Sequence, residues 1–247
     1  VCSSDLTNMS DVLAIMEGRK AGPSGKTKEW IAPSLGEYWL AFGIQFNTYE
    51  VLHSNAMIVA KFGNELELAL VGISKMQLPQ IGNNLYVFVE LMLVVDWKPS
   101  AGFFGLSAQL SKNSFVIDPA CHLTGGFAFF VWYSGDHAGQ FVVTLGGYHP
   151  QFQVPSFYPT VPRLGVSWVI SSLLSISGNA YFALTPSAVM AGGSLSMNFH
   201  YGDLKAWFTA QADMLITFNP FYFNVYIAVS VGVSYRLNLL FTTTTIS

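Results

Sequence analysis

Five residues of metal-ligand and acid–base type, Cys121, His122, Asp136, His137 and His149, fall within about thirty positions of one another. Thiolate, imidazole and carboxylate are the donors that zinc and other transition metals take, and an imidazole beside a carboxylate can also move protons. An internal comparison weighs against that chemistry. Shifted by 67 residues, and by three more at the end, the chain sets Ala188, Val189, Leu204 and Asn219 opposite Cys121, His122, His137 and His149. Only Asp136 keeps a carboxylate partner, Asp203, and the shared Gly-Asp pair is what tight hairpin turns use. No metal site and no cofactor is therefore assigned.

Other strings fail on context. Gly25-Lys26-Thr27 resembles the tail of a phosphate-binding P-loop, but Lys20 stands where the first glycine is required, and Lys28-Glu29-Trp30-Ile31-Ala32-Pro33 is a poor start for the helix such a loop needs. Ala228-Val229-Ser230-Val231-Gly232 lies within an alternating strand, so Ser230 is a small residue on its polar face and not a nucleophile at a strand-to-helix turn. Glu65 and Glu67 are spaced to project from one face of a strand, as paired carboxylates for glycoside chemistry would, and read as a solvated face. Asn8-Met9-Ser10 is a formal glycosylation acceptor that abuts an unreliable terminus.

Residues that would have to position any site belong to one fold class. The 247 residues are 51% hydrophobic and 10% charged, with 20 Phe, 11 Tyr and 22 Gly, a composition of pleated strands and turns and not of a helical bundle. Lys and Arg total 11 against 14 Asp and Glu, with no concentrated basic patch, so no nucleic-acid partner is expected. Period-two alternation dominates from Tyr38 onward. Phe223, Val225, Ile227, Val229, Val231, Val233 and Tyr235 share one face of a long strand, with Asn224, Tyr226, Ala228, Ser230, Gly232, Ser234 and Arg236 on the other. Residues 204–214 and 195–201 alternate likewise, as do Leu40 to Phe46, Leu66 to Leu70 and Leu85 to Val95. Apolar runs are broken by Asn, Ser, Gly or Pro, as at Asn219-Pro220, so no transmembrane helix is expected.

The repeat has a skeleton of its own: Phe115 with Phe182, Pro119 with Pro186, Gly125-Gly126 with Gly192-Gly193, Gly135-Asp136 with Gly202-Asp203, and Phe141 with Phe208. Tyr148-His149-Pro150 then aligns with Phe218-Asn219-Pro220. Such spacing describes antiparallel strands about 12–15 residues long joined by turns. The expected fold is all-β: a long antiparallel meander, strongly curved, sandwich-like or rolled towards a barrel, with its apolar face inside.

Toward the N-terminus, Val1 to Leu6 matches the translation of a common sequencing-library adapter, and 1–6 is expected to be an artefact. Residues 7–29 carry 7 of the 25 charges; there Ser10-Asp11 is expected to cap a short helix over Val12 to Met16, with Gly18 to Gly25 as a flexible linker. A single β-rich domain is expected over 30–247, truncated at both ends. Without Cys2, Cys121 is a lone cysteine, so the redox compartment and the localisation stay open.

Several strings together resemble a known family: Cys121-His122-Leu123-Thr124-Gly125-Gly126-Phe127-Ala128-Phe129, Asp136-His137-Ala138-Gly139, Thr144-Leu145-Gly146-Gly147-Tyr148-His149-Pro150, Val161-Pro162-Arg163-Leu164-Gly165, Ala180 to Pro186 and Asp203 to Phe208. They are similar to a domain of unknown function, number 6603, of large bacterial and fungal proteins, over part of that domain's length. The resemblance implies a β fold and brings no activity, catalytic residue or cofactor.

The function expected from these residues is a non-catalytic structural or binding module. Its curved, apolar-faced sheet, lined by Phe208, Phe223, Ile227 and Val231, would hold a lipid or other apolar ligand, or pack against further copies or the rest of a longer chain. An outer-membrane-type barrel is the alternative; strands longer than the 9–11 residues that span a bilayer, and Tyr226, Trp207 and Trp132 on the polar face, weigh against it. A metal-dependent enzyme using the His/Cys/Asp group is the second alternative.

Overall fold

A computed structural model of the chain describes residues 9–19, 35–49, 51–79, 85–239 and 242–246. The adapter-like stretch 1–6, Asn8, the Gly25-Lys26-Thr27 string and most of the expected linker lie outside the described residues. Helix α1 spans Met9–Met16, so Ser10 and Asp11 fall inside its first turn instead of preceding it.

Among the described residues the other elements are strands: β1 (Tyr38–Thr48), β2 (Leu52–Phe62), β3 (Glu67–Leu78), β4 (Val87–Lys98), β5 (Phe103–Leu110), β6 (Phe115–Val116), β7 (Cys121–Thr124), β8 (Gly126–Trp132), β9 (Phe141–Leu145), β10 (Leu164–Val169), β11 (Leu174–Leu184), β12 (Ala188–Tyr201), β13 (Leu204–Phe218), β14 (Phe221–Leu239) and β15 (Thr242–Ile246). All join one 15-stranded sheet with main order β1-β2-β3-β4-β5-β8-β9-β11-β12-β13-β14-β15. Every pairing is antiparallel, as a meander with short turns requires.

The centre of the sheet is split. β3 takes one edge of β4, while β5 and β6 share the other end to end; β12 takes one edge of β11, while β9 and β10 share the other. β7 and β8 are likewise two halves of one line, broken at Gly125. The eight strands around this break close a ring of hydrogen bonds, yet the ring is a slit in a continuous sheet and not a regular barrel. Gly125 permits the break: its φ is +153°, and a Cβ there would stand 2.6 Å from Leu164 Cδ2. Its carbonyl accepts a hydrogen bond from Leu110 N at 2.9 Å, which ties the end of β5 to the bulge. β1 and β15 end the sheet and do not pair with each other.

The repeat-matched residues coincide only in part: Gly125 breaks the β7–β8 line whereas Gly192-Gly193 lie inside β12, while other pairs fall in turns. Gly135-Asp136 and Gly202-Asp203 lie in the turns before β9 and β13, Pro119 and Pro186 in those before β7 and β12.

Registers carry one face from strand to strand without interruption. Residues 38, 40, 42, 44 and 46 of β1 lead through Ile58, Leu70, Val95, Leu106, Phe129 and Val143 to Leu184, then through Val189 and Ile216 to Phe223. Among the described residues of β1 to β14, that face carries no Asp, Glu, Lys, Arg or His; its polar side chains are Thr48, Ser54 and Ser74. The opposite face is mixed, and it holds the strand-borne charges, including Lys61, Glu67, Lys75, Glu90, Asp96, Lys98, Lys205 and Asp213.

Burial reverses the expectation that the uniformly apolar face lies inside. The deepest cores sit on the mixed face because that is where the covering elements arrive. Ile15 and Met16 of α1 pack on Val59, Val71, Ile73 and Met92. The loop 146–163 lays Tyr148 and Phe152 on Tyr181, Ala183, Met190 and Leu215, and sets Phe157 and Tyr158 against Trp132 and Val142. Trp132 therefore belongs to a core, with Tyr158 stacked 5.8 Å from it. Ion pairs border the α1 core: Lys75 Nζ reaches the buried Glu90 Oε1 at 3.1 Å on one side, and the half-buried pairs Lys61–Glu37 and Lys98–Glu67 lie at the other.

Candidate functional site

The chemistry-bearing side chains do not converge. Cys121 is buried, with its thiol raised by burial and by the Asp118 charge, whereas His122 on the same strand projects from the opposite, mixed face and is itself exposed. Asp136 and His137 sit in the turn after β8, where the His137 ring stacks on Phe157 at 3.9 Å. His149 belongs to the 146–163 loop and packs edge-on against Tyr181, 6.2 Å between ring centres. No group of three or more potential metal ligands occurs among the described residues. Glu65 lies in the turn before β3 and not on a strand beside Glu67, whose carboxylate is half-buried near Lys98 instead of solvated. The turn residues Gly63 and Asn64 end the alternation earlier than spacing implied.

A polar cluster that spacing did not single out lies under the loop. Arg163 donates to Gly146 O at 3.1 Å and to Tyr148 O at 2.5 Å, and its guanidinium carbon sits 3.8 Å above the Tyr181 ring. Tyr181 donates its hydroxyl to Asp213 at 2.7 Å, and Gln211 holds the other carboxylate oxygen at 2.6 Å. Burial raises the Tyr181 hydroxyl, helped by Asp213, and burial likewise raises Tyr148. His149 is lowered, first by burial, with Arg163 adding to the effect and Asp213 opposing it; Nδ1 accepts from Gln151 N at 3.1 Å. Each partner is a loop carbonyl, a ring or a sheet residue. The cluster is thus a clasp that fastens the loop to β11 and β13, with the chemistry of a structural network. A sequence signal existed in the Val161-Pro162-Arg163 string, but nothing in it identified Tyr181 and Asp213 as partners.

The uncharged face is different in kind. Phe223, Ile227 and Val231 are 61%, 71% and 75% exposed, and Phe208 of the neighbouring β13 is half-buried beside them. Exposed apolar side chains on this face extend from Tyr38, Leu40 and Phe42 on β1, past Trp97 and Leu145, to Phe182 and Leu195. Exposed β14 side chains alone present on the order of 900 Å², above the ~300–600 Å² of the largest apolar patch on a typical monomer. Where the sheet splits, the same face dips into an open hollow of about 430 Å³ lined by Leu110, Leu123, Leu164, Val166, Gly178 and Ala180, with Thr124, Asn179 and Ser194 at its margin.

The model of a family of unknown function (DUF6603) matches residues 4–247. No curated protein and no solved structure matches the chain.

Proposed function

The chain belongs to this family of unknown function, DUF6603, and on the geometry of its sheet we propose that it is a non-catalytic binding module whose uncharged face takes up lipid acyl chains. The observation that carries this reading is the partition of the sheet: charge on one face only, closure by α1 and the loop on that same face, and an open apolar surface on the other. Apolar surface contributes roughly 25 cal/mol per Å² when removed from water, so a face of this extent gains from any apolar occupant that fits it. The absence of charge selects against peptides and nucleic acids, which bring ionic groups that the face could not pair. A non-catalytic role is supported by the scatter of Cys121, His122, Asp136, His137 and His149 and by the loop-fastening role of Arg163 and Asp213.

The test is native mass spectrometry and organic extraction of the purified 247-residue chain. Co-purifying lipid is expected, with loss of most of it in the triple variant Phe223→Ser/Ile227→Ser/Val231→Ser. A lipid-free chain that also takes up no palmitate, and that forms a stable dimer lost in the same variant, would replace acyl chains with a second sheet as the occupant.

A further inference from the structure

We infer that the cavity at the split in the sheet is the seat of the acyl-chain terminus and sets the chain length the protein prefers, an inference that rests on the lipid-binding reading above. The cavity is an open hollow of about 430 Å³ with an exposed floor, a trough along the face and not an enclosed chamber. Its walls are Leu110 at the end of β5, Leu123 on β7, and Leu164 and Val166 on β10; its floor is Gly178 and Ala180 of β11. By register all six belong to the uncharged face. The depression exists because three strand lines break there and the floor has almost no side chain. A Cβ on Gly178 would already lie 3.6 Å from Val166 Cγ1 and 3.6 Å from Leu195 Cδ1.

Polar groups at the margin are spoken for within the protein. Thr124 donates its hydroxyl to Arg163 O at 3.3 Å, and Asn179 donates to Ser194 Oγ at 2.6 Å. The exposed surface of this open hollow is mostly apolar, so an apolar occupant that covers it gains by removing that surface from water. It opens onto the face beside Leu195 and Phe182, both exposed, so a chain seated at its methyl end has an apolar path outward while its head group reaches solvent. A long, flexible, unbranched hydrocarbon fits a pit joined to a strip.

The experiment is a competition between laurate and palmitate for the delipidated 247-residue chain, read by native mass spectrometry. The unaltered protein is expected to prefer palmitate by about tenfold or more, since each added methylene adds buried apolar surface. Ala180→Leu fills the pit from its exposed floor and weakens both ligands, palmitate more, so that the preference between the two is expected to shrink to within about twofold. Leu164→Ala enlarges the pit and is expected to move the preference toward stearate, and it tests the assignment independently if Ala180→Leu does not fold. An unchanged palmitate preference in folded variants overturns the cavity assignment alone. Failure of the unaltered chain to bind either fatty acid overturns the cavity assignment together with the lipid-binding reading.

Discussion

A charge placed on the uncharged face separates an open surface from a hidden one, and Ile227→Lys is the informative substitution. Ile227 is 71% exposed, so folding removes only about a third of its side chain from water. Full burial of such a side chain contributes roughly 1.5–3 kcal/mol, so the part lost here is about 0.5–1 kcal/mol. The lower strand propensity of lysine adds at most ~1 kcal/mol. The variant should therefore lose no more than about 2 kcal/mol in a urea titration of the delipidated chain, with an unchanged slope. Ile73→Lys is the contrast: Ile73 is 2% exposed under α1, and a lysine there forfeits the whole burial and must be desolvated or distort the core, a loss above about 4 kcal/mol. Lipid retention should behave in the opposite sense, with Ile227→Lys depleting bound lipid because a hydrated ammonium sits in the path of the chain. A loss above about 4 kcal/mol for Ile227→Lys without lipid would refute the reasoning, since it would mean that the folded chain itself covers this face.

Three further perturbations test the covered face. Lys75→Met leaves the Glu90 carboxylate, 1% exposed, without its ion-pair partner, and should destabilise by about 3 kcal/mol, the low end of the ~3–5 kcal/mol for breaking a buried pair because Lys75 keeps 27% of its side chain in solvent. Adding Glu90→Leu should recover most of that loss in a double-mutant cycle, and strict additivity would exclude coupling between the two. Arg163→Lys cannot grip Gly146 O and Tyr148 O together while stacked on Tyr181, and should cost about 2 kcal/mol and expose the 146–163 loop to proteolysis; an unaltered cleavage rate would show that the loop is held by its aromatic side chains alone. His149 is held below its ordinary value by burial, so the unfolded chain binds its proton more readily; stability is whole above about pH 6.5 and falls as pH drops through that value. His149→Gln should flatten this acid-side decline in the thermal midpoint, and an identical slope in both proteins would place its origin elsewhere.

Strand existence and face identity were legible because period two is a local property. The alternation from Phe223 to Tyr235 reappears as β14 with those residues on one face, and the same holds for β12 and β13. What alternation cannot encode is which face meets a cover. That depends on where non-strand segments fall back, and the aromatic side chains that do so, Tyr148, Phe152, Phe157 and Tyr158, lie in a loop without period. Composition favoured the uniformly apolar face as the interior, whereas these four side chains and the two residues of α1 closed the mixed one. The cavity was hidden for a related reason: it forms from ends of β5, β7 and β10 distant in sequence, and no local pattern joins Leu110, Leu123 and Leu164.

The two faces answer to different free energies. Cores beneath α1 and the 146–163 loop form from the chain's own side chains, so they can order the sheet whether or not anything occupies the other side. The proposed occupant of the uncharged face would add stability only by mass action, about RT ln(1 + [L]/Kd), and that stability would leave with the ligand. A sheet that used its apolar face as the sole core could not release an occupant without unfolding. Placing the core opposite would make exchange of the proposed ligand compatible with a folded protein, because β11 to β14 are held in register by backbone hydrogen bonds and by Tyr181, Met190 and Leu215 on the closed side, whatever meets Ile227 and Val231.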